Sequence, residues 1–162
     1  MYTKAFEIRW NDLDANMHLG NSTYIEYMSD TRMSFLTSRG LSLEVINSYS
    51  LGPIVMYEQI NYFKEIALDD KIEVSLEVSG FSEDGRFIKI EHNFYNDKGK
   101  NLANAEMLFS WMDLKTRRFG RIPEELLQKI IEFPRTNKFE FLTKEHTKSL
   151  MKKPVDISVS KA

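Results

Sequence analysis

Residues 9–27 read RWNDLDANMHLGNSTYIEY, and this stretch decides the fold because a run of closely spaced polar groups passes directly into a helix start. Asp14, Asn16 and His18 recur at every second residue, so in a locally extended segment their side chains share one face. Asn21, Ser22 and Thr23 follow as residue types that cap helix N-termini, and Thr23 with Glu26 fits a capping box. The polar trio therefore precedes a helix tip. There, unpaired backbone N–H groups and the positive end of the helix dipole can stabilise a developing oxyanion.

Upstream, Phe6, Ile8 and Trp10 alternate with Glu7 and Arg9, the period of a half-buried strand that leads into the polar loop. Downstream, Tyr24, Ile25, Met28, Phe35 and Leu36 recur at helical spacing over residues 23–38, and Gly40 supplies a stop. Residues 41–47 are read as one or two further helical turns. After Gly52 and Pro53 come four extended stretches, residues 54–63, 71–81, 86–95 and 101–114. Ile72, Val74, Leu76 and Val78 against Glu73, Ser75, Glu77 and Ser79 give the clearest alternation, and the EDG and NDKG segments read as hairpin loops. One strand, one long helix and then antiparallel strands predict an α+β domain in which a single sheet packs on that helix.

Pro123, Glu124 and Glu125 open a short helix whose apolar side carries Leu126, Leu127, Ile130 and Ile131, with Pro134 ending it. Past Arg135 the pattern weakens. Phe139, Phe141 and Leu142 can pack on the body, residues 144–153 are charged, and Val155, Ile157 and Val159 suit either a strand or a loose tail. The expected organisation is a single domain over residues 1–135 and a C-terminal extension over residues 136–162.

The 162 residues suffice for one domain with a substantial core, and 42% hydrophobic with 28% charged residues is an ordinary globular balance. With 22 Lys and Arg against 24 acidic residues, no basic excess argues for nucleic acid. The absence of cysteine removes thiol nucleophiles, disulfides and Cys-based zinc sites. The N-terminus lacks the apolar core of a signal peptide, and no run reaches the ~20 apolar residues of a membrane span, so a soluble cytoplasmic protein without membrane contact is expected.

Asp14, Asn16, His18, Asn21 and Tyr24 form the pattern DxNxH followed by xxNxxY, which resembles the signature of hotdog-fold acyl thioesterases. The wording resembles the acyl-acyl carrier protein thioesterase branch, and the chain length the small 4-hydroxybenzoyl-CoA-like thioesterases. The resemblance implies a hotdog fold, an antiparallel sheet wrapped around one central helix, whose element order agrees with that read above. It also implies hydrolysis of acyl-CoA or acyl-acyl carrier protein, no cofactor, and a homodimer or homotetramer with the site at a subunit interface.

In the resembling family the aspartate matching Asp14 is the nucleophile or the base that activates water, and a carboxylate can serve as either. The alternative is an Asx-turn residue that only orders the loop. Asn16 and His18 match the catalytic set and could hold Asp14, orient water or polarise the carbonyl, or be structural. Asn21 and Tyr24 match family positions and are expected to contact substrate, with Asn21 alternatively the helix cap. Asp12 has the opposite parity and reads as a turn or ion-pair residue. Glu58 shares a strand face with Ile54, Met56, Ile60 and Tyr62, which would raise its pKa and suit an acid or base; an edge glutamate paired with a cation is the alternative. Glu65 is a weaker candidate of that kind.

KTRRFGR, residues 115–121, is the densest basic cluster, and Arg117 and Arg118 could bind the phosphate of coenzyme A or of a phosphopantetheine arm, or lie in a solvated turn. His92 falls on an apolar face as a hydrogen-bonded sheet histidine, and His146 is expected to be solvated. The spacing of the three histidines implies no metal site. Two rival functions share the resemblance: an enoyl-thioester hydratase or dehydratase, and a non-catalytic acyl-CoA-binding module.

Overall fold

A computed structural model describes residues 1–157 of the chain. Its elements are β1 (Tyr2–Glu7), α1 (Asn21–Ser38), α2 (Leu43–Ser48), β2 (Leu51–Tyr62), β3 (Lys71–Phe81), β4 (Phe87–Asn96), β5 (Asn101–Asp113), α3 (Glu124–Ile131), β6 (Arg135–Phe141) and α4 (Lys144–Leu150). The sheet runs β1-β3-β4-β5-β2, antiparallel throughout, and β6 joins β3 in parallel past the end of β1. This is the hotdog arrangement, with α1 lying across one face of a curved sheet.

The alternation predicted for β3 is realised. Ile72, Val74, Leu76 and Val78 are all at most 2% exposed and face α1, joined by Phe94, Ala103, Ala105 and Met107 of the next strands. Ala103 and Ala105 offer small side chains on the helix-facing side of β5. The two hairpin turns place Gly85 (φ +63°) and Gly99 (φ +70°) in the left-handed region that a Cβ disfavours.

The first strand ends earlier than its alternation suggests. Trp10–Asp12 coil into a 3-10 turn and Trp10 is 68% exposed, because the Asp12 carboxylate draws the chain back. It accepts the Arg9 backbone N–H at 2.8 Å and the Arg9 guanidinium at 3.0 and 3.2 Å. Asp12 is thus the turn and ion-pair residue its parity indicated.

The buried stripe of α1 is also rotated from the predicted one. Thr23, Tyr24, Tyr27, Met28, Thr31 and Phe35 are buried, while Ile25 is 43% exposed. A buried Thr31 is tolerated because its hydroxyl donates to the Tyr27 carbonyl at 2.8 Å. The helix begins at Asn21 with Gly20 as N-cap, and no side chain caps it. The expected Thr23–Glu26 box does not form because the Thr23 hydroxyl donates instead to the Asp12 carbonyl, at 3.0 Å.

Past Pro134 the chain adds β6 to the same sheet, with Phe139 and Phe141 stacked edge-on against Phe81. Val155 and Ile157 are exposed and outside any strand, and Val159 lies outside the described residues. Among the described residues, no helix is long and apolar enough to cross a membrane.

Candidate active site

The polar loop does not run extended through the trio. Leu13 and Leu19 form an isolated bridge, and the chain between them reverses, with Met17 at φ +64°. The Asp14 carboxylate makes that reversal. Its Oδ1 accepts the backbone N–H of Asn16 at 2.8 Å and of His18 at 3.3 Å, while the Asp14 N–H donates to the His18 carbonyl at 2.8 Å. Asp14, Asn16 and His18 are therefore gathered by a turn rather than by a shared strand face, and the Asx-turn reading of Asp14 is realised geometrically. Oδ2 makes no hydrogen bond to any described residue, so one carboxylate oxygen is fixed and the other is unpaired.

A cleft of about 380 Å³ opens beside this carboxylate, lined by Asp14, His18, Asn21, Tyr24, Tyr62 and Glu65 among others. The site thus joins the loop, the first turn of α1 and the segment leaving β2. Backbone pairing fixes that junction: the Leu19 N–H donates to the Ile66 carbonyl at 2.7 Å, and His18 bridges to Ala67. His18 Nε2 lies 3.2 Å from Glu65 Oε2 at the rim. Asn16 is exposed and does not line the cleft.

Asn21 is the first residue of α1 rather than its cap, and its backbone N–H finds no acceptor among the described residues. It is one of the free donors a helix tip presents, at the point where the dipole favours negative charge. Tyr24 packs edge-on against Tyr62 at 5.0 Å, and burial, with the Tyr62 and Asp14 charges adding, pushes its hydroxyl up to about 12. Tyr24 thus remains a hydrogen-bond donor in the cleft wall at any physiological pH.

Two other predicted groups lie elsewhere. A bulge between Val55 and Tyr57 reverses the parity of β2, so Glu58 shares the helix-facing side with Ile60, Tyr62, Val55 and Pro53, and not with Ile54 and Met56 as the plain alternation implied. Glu58 pairs with Met107, away from the Asp14 cleft, and its Oε1 is buried without a hydrogen-bond partner. Arg117 and Arg118 form an exposed turn closed by Asp113, whose carbonyl accepts the Arg117 N–H at 2.9 Å. Leu51 pairs with Asp113 and Tyr62 with Ala103, so that turn and the cleft lie at opposite ends of β2, ~36 Å apart along the strand.

Sequence reasoning missed Tyr62, Phe63 and Lys64 as cleft residues, and gave Glu65 only a minor place. Their signal is positional: an aromatic pair followed by charges just where a long edge strand ends. His92 is a fully buried sheet histidine; its Nδ1 lies 2.6 Å from the Ser75 carbonyl, and burial, with Arg32 adding, lowers it to about 3. Among the described residues no three His, Asp or Glu side chains are grouped to hold a metal ion.

With this geometry in place, comparison with known proteins assigns the family. A model described as the thioesterase-like superfamily matches residues 8–130, and the chain belongs to that superfamily. The chain is 22% identical over 124 residues to the long-chain acyl-CoA thioesterase FadM of Escherichia coli (strain K12), covering 76% of this chain and 92% of that one. Two solved structures share the fold. A Staphylococcus aureus protein determined in complex with CoA has a TM-score of 0.73 at 19% identity, covering 98% of this chain and 94% of its own. A 1,4-dihydroxy-2-naphthoyl-CoA thioesterase from Synechocystis has a TM-score of 0.71 at 17% identity, covering 81% and 96%.

Proposed function

We propose that this protein hydrolyses acyl-coenzyme A thioesters in the cleft between Asp14 and the tip of α1. The observation that carries the reading is the state of the Asp14 carboxylate: one oxygen is pinned by two backbone N–H groups, the other makes no hydrogen bond to a described residue, and Asp14 lines a cleft at a helix N-terminus. A superfamily of thioester hydrolases and a relative named for long-chain acyl-CoA support the substrate class.

In this reading the thioester carbonyl points at the Asn21 N–H, where the helix tip stabilises the charge that builds on oxygen. Asp14 Oδ2 takes a proton from water as the water oxygen bonds to the carbonyl carbon, or attacks that carbon itself to give an anhydride that water then cleaves. Collapse of the tetrahedral intermediate breaks the C–S bond and expels the thiolate, which is protonated on release. The Tyr24 hydroxyl donates to substrate, and the His18–Glu65 pair holds the rim. Asn16 acts through its backbone, by fixing Asp14.

The phosphates of coenzyme A would be met by Arg117 and Arg118 of a second protomer. Antiparallel pairing of two β2 edges around a twofold axis brings the far end of one strand beside the near end of the other. The exposure of Val55, Tyr62 and Phe63, each 49% or more, supports β2 and its end as the covered edge of a homodimer or a dimer of dimers. A thiol-release assay over acyl-CoA and acyl-acyl carrier protein thioesters tests the reading. Turnover of the carrier-protein substrates alone would replace coenzyme A with that partner. Loss of enoyl absorbance without thiol release would make the protein a hydratase.

A further inference from the structure

Farther along α1 than the cleft lies a second cavity of about 240 Å³, lined by Ser29, Arg32, Val55, Phe109, Trp111 and further apolar residues. Tyr24, Met28 and Arg32 succeed one another at four-residue spacing on α1, opposite Tyr62, Ile60 and Glu58 on β2. Met28 and Ile60 therefore separate the two spaces. Both are apolar, and methionine repacks readily.

Apart from Ser29, the polar groups in this mostly apolar lining are two donors that lack oxygen partners among the described residues. The Arg32 guanidinium is largely buried, yet its contacts are Met107 Sδ at 2.9 Å, His92 Nε2 at 3.5 Å and the Phe109 ring at 5.1 Å. No carboxylate comes within 4 Å of it among the described residues; Glu58 influences its charge from farther away. The Trp111 indole N–H is also buried without an acceptor. A buried indole N–H without an acceptor and a largely buried cation without a counter-charge are both costly, and a ligand that supplies the missing oxygen is favoured in proportion. Burial lowers the Arg32 guanidinium to about 10, which leaves it charged near neutrality, and His92 is held neutral beside it.

We propose that this cavity is a distal recognition site for an acyl chain that ends in a carboxylate, received by the Arg32 guanidinium and the Trp111 N–H. The inference rests on the thioesterase reading of the Asp14 cleft and names the substrate class for it: mono-thioesters of dicarboxylic acids. The helix also sets the length. Asn21 and Arg32 are 11 residues apart, ~16 Å along the axis, which an extended chain gaining about 1.2 Å per bond spans in about 10 to 14 bonds. A carboxylate matches the pair of donors and neutralises the cation, whereas a methyl terminus leaves the indole N–H without an acceptor and the guanidinium without a counter-charge. Sites built around buried hydrogen-bonding groups discriminate strongly against ligands that cannot use them.

The test compares kcat/KM for dodecanedioyl mono-CoA, 12-hydroxydodecanoyl-CoA and dodecanoyl-CoA, with wild type beside Arg32→Met and Arg32→Lys. The diacid thioester is expected to be favoured at least ~10-fold over the methyl-ended chain in wild type, with the hydroxyl between them. Arg32→Met should reverse the order, and Arg32→Lys should retain part of it. Equal rates for the three thioesters in wild type overturn the proposal whatever the variants do. The non-hydrolysable thioether analogues of the same three are measured by calorimetry. Selective binding of the carboxylate-ended analogue without turnover of any thioester would sink the hydrolase reading and leave the distal site standing. Indifferent binding together with turnover would do the reverse.

Discussion

The Tyr27 hydroxyl donates to Asp12 Oδ2 at 2.8 Å, which ties the middle of α1 to the turn that precedes the candidate active loop. Asp12 is 3% exposed and also receives the Arg9 guanidinium, while its own carbonyl accepts the Thr23 hydroxyl. One buried residue thus sets the angle at which the Asp14 loop meets the helix tip.

Removing that carboxylate should therefore cost stability and geometry together. Asp12→Ala removes the acceptor of the Tyr27 hydroxyl and of Arg9, leaves Thr23 tethered to a loosened turn through the backbone carbonyl alone, and is expected to destabilise the fold by about 3 kcal/mol, the range for breaking a buried charged hydrogen-bond network. Urea denaturation of the variant measures it. A loss within 0.5 kcal/mol would show that the turn holds without Asp12. Although burial opposes ionisation, the hydrogen bonds from Arg9 and Tyr27 outweigh it and hold the carboxyl below its ordinary range. Its contribution is complete above the unfolded value near 3.8 and is lost as pH falls through the lower folded value.

A second pH dependence begins at milder acidity. His92 titrates near 6.5 when unfolded and about 3 when folded, because burial and the facing Arg32 oppose its charge while only the Ser75 carbonyl favours it. Below pH 6.5 the unfolded chain binds a proton that the folded one refuses, so stability falls with pH until about 3. Between pH 6 and 5 the slope should approach 1.4 kcal/mol per unit from this residue alone. Denaturation curves for wild type and His92→Gln would separate it; an equal slope in both would assign the effect elsewhere.

Gly80 sits where β6 joins β3, and a Cβ there would lie 2.8 Å from the Glu140 carbonyl and 2.9 Å from Leu142 Cδ2. Gly80→Ala should push β6 off the sheet edge, at about 1–3 kcal/mol for an overpacked site. Limited proteolysis between Pro134 and Leu142 would report it, and unchanged protection would show that the strand gives way without detaching.

Arg117→Ala with Arg118→Ala should raise KM for acyl-CoA about tenfold with kcat unchanged, the pattern of lost uniform binding. The matching acyl-pantetheine thioester, without the nucleotide phosphates, should not distinguish the variant from wild type. Identical KM values for acyl-CoA would return these arginines to a solvated turn.

Local pattern carried most of the fold. The alternation from Ile72 to Val78, the left-handed glycines of both hairpins and the order of strands around one helix are properties of short windows, and the structure realises them. What went astray was decided by partners distant in sequence. Thr23 could not serve as a capping-box residue because Asp12, 11 positions earlier, claims its hydroxyl. Ile54 and Met56 left the face that Glu58 shares with Ile60 and Tyr62 because of one extra residue in β2, which leaves no mark in the alternation of side chains. The cleft joins residues 14–24 to residues 62–65 through the pairing of Leu19 with Ile66, and no window contains both. Asp14 was found because its motif is contiguous.

The most direct measurement is thiol release from an acyl-CoA series by wild type and Asp14→Asn, with the fold of both checked by thermal unfolding. Asparagine keeps the oxygen that receives the Asn16 and His18 N–H groups but can neither attack the carbonyl nor accept a proton. An intact fold, unchanged KM and a kcat lowered ~10² to 10⁴-fold are expected. An Asp14→Asn enzyme that releases thiol as fast as wild type would contradict the role assigned to Asp14.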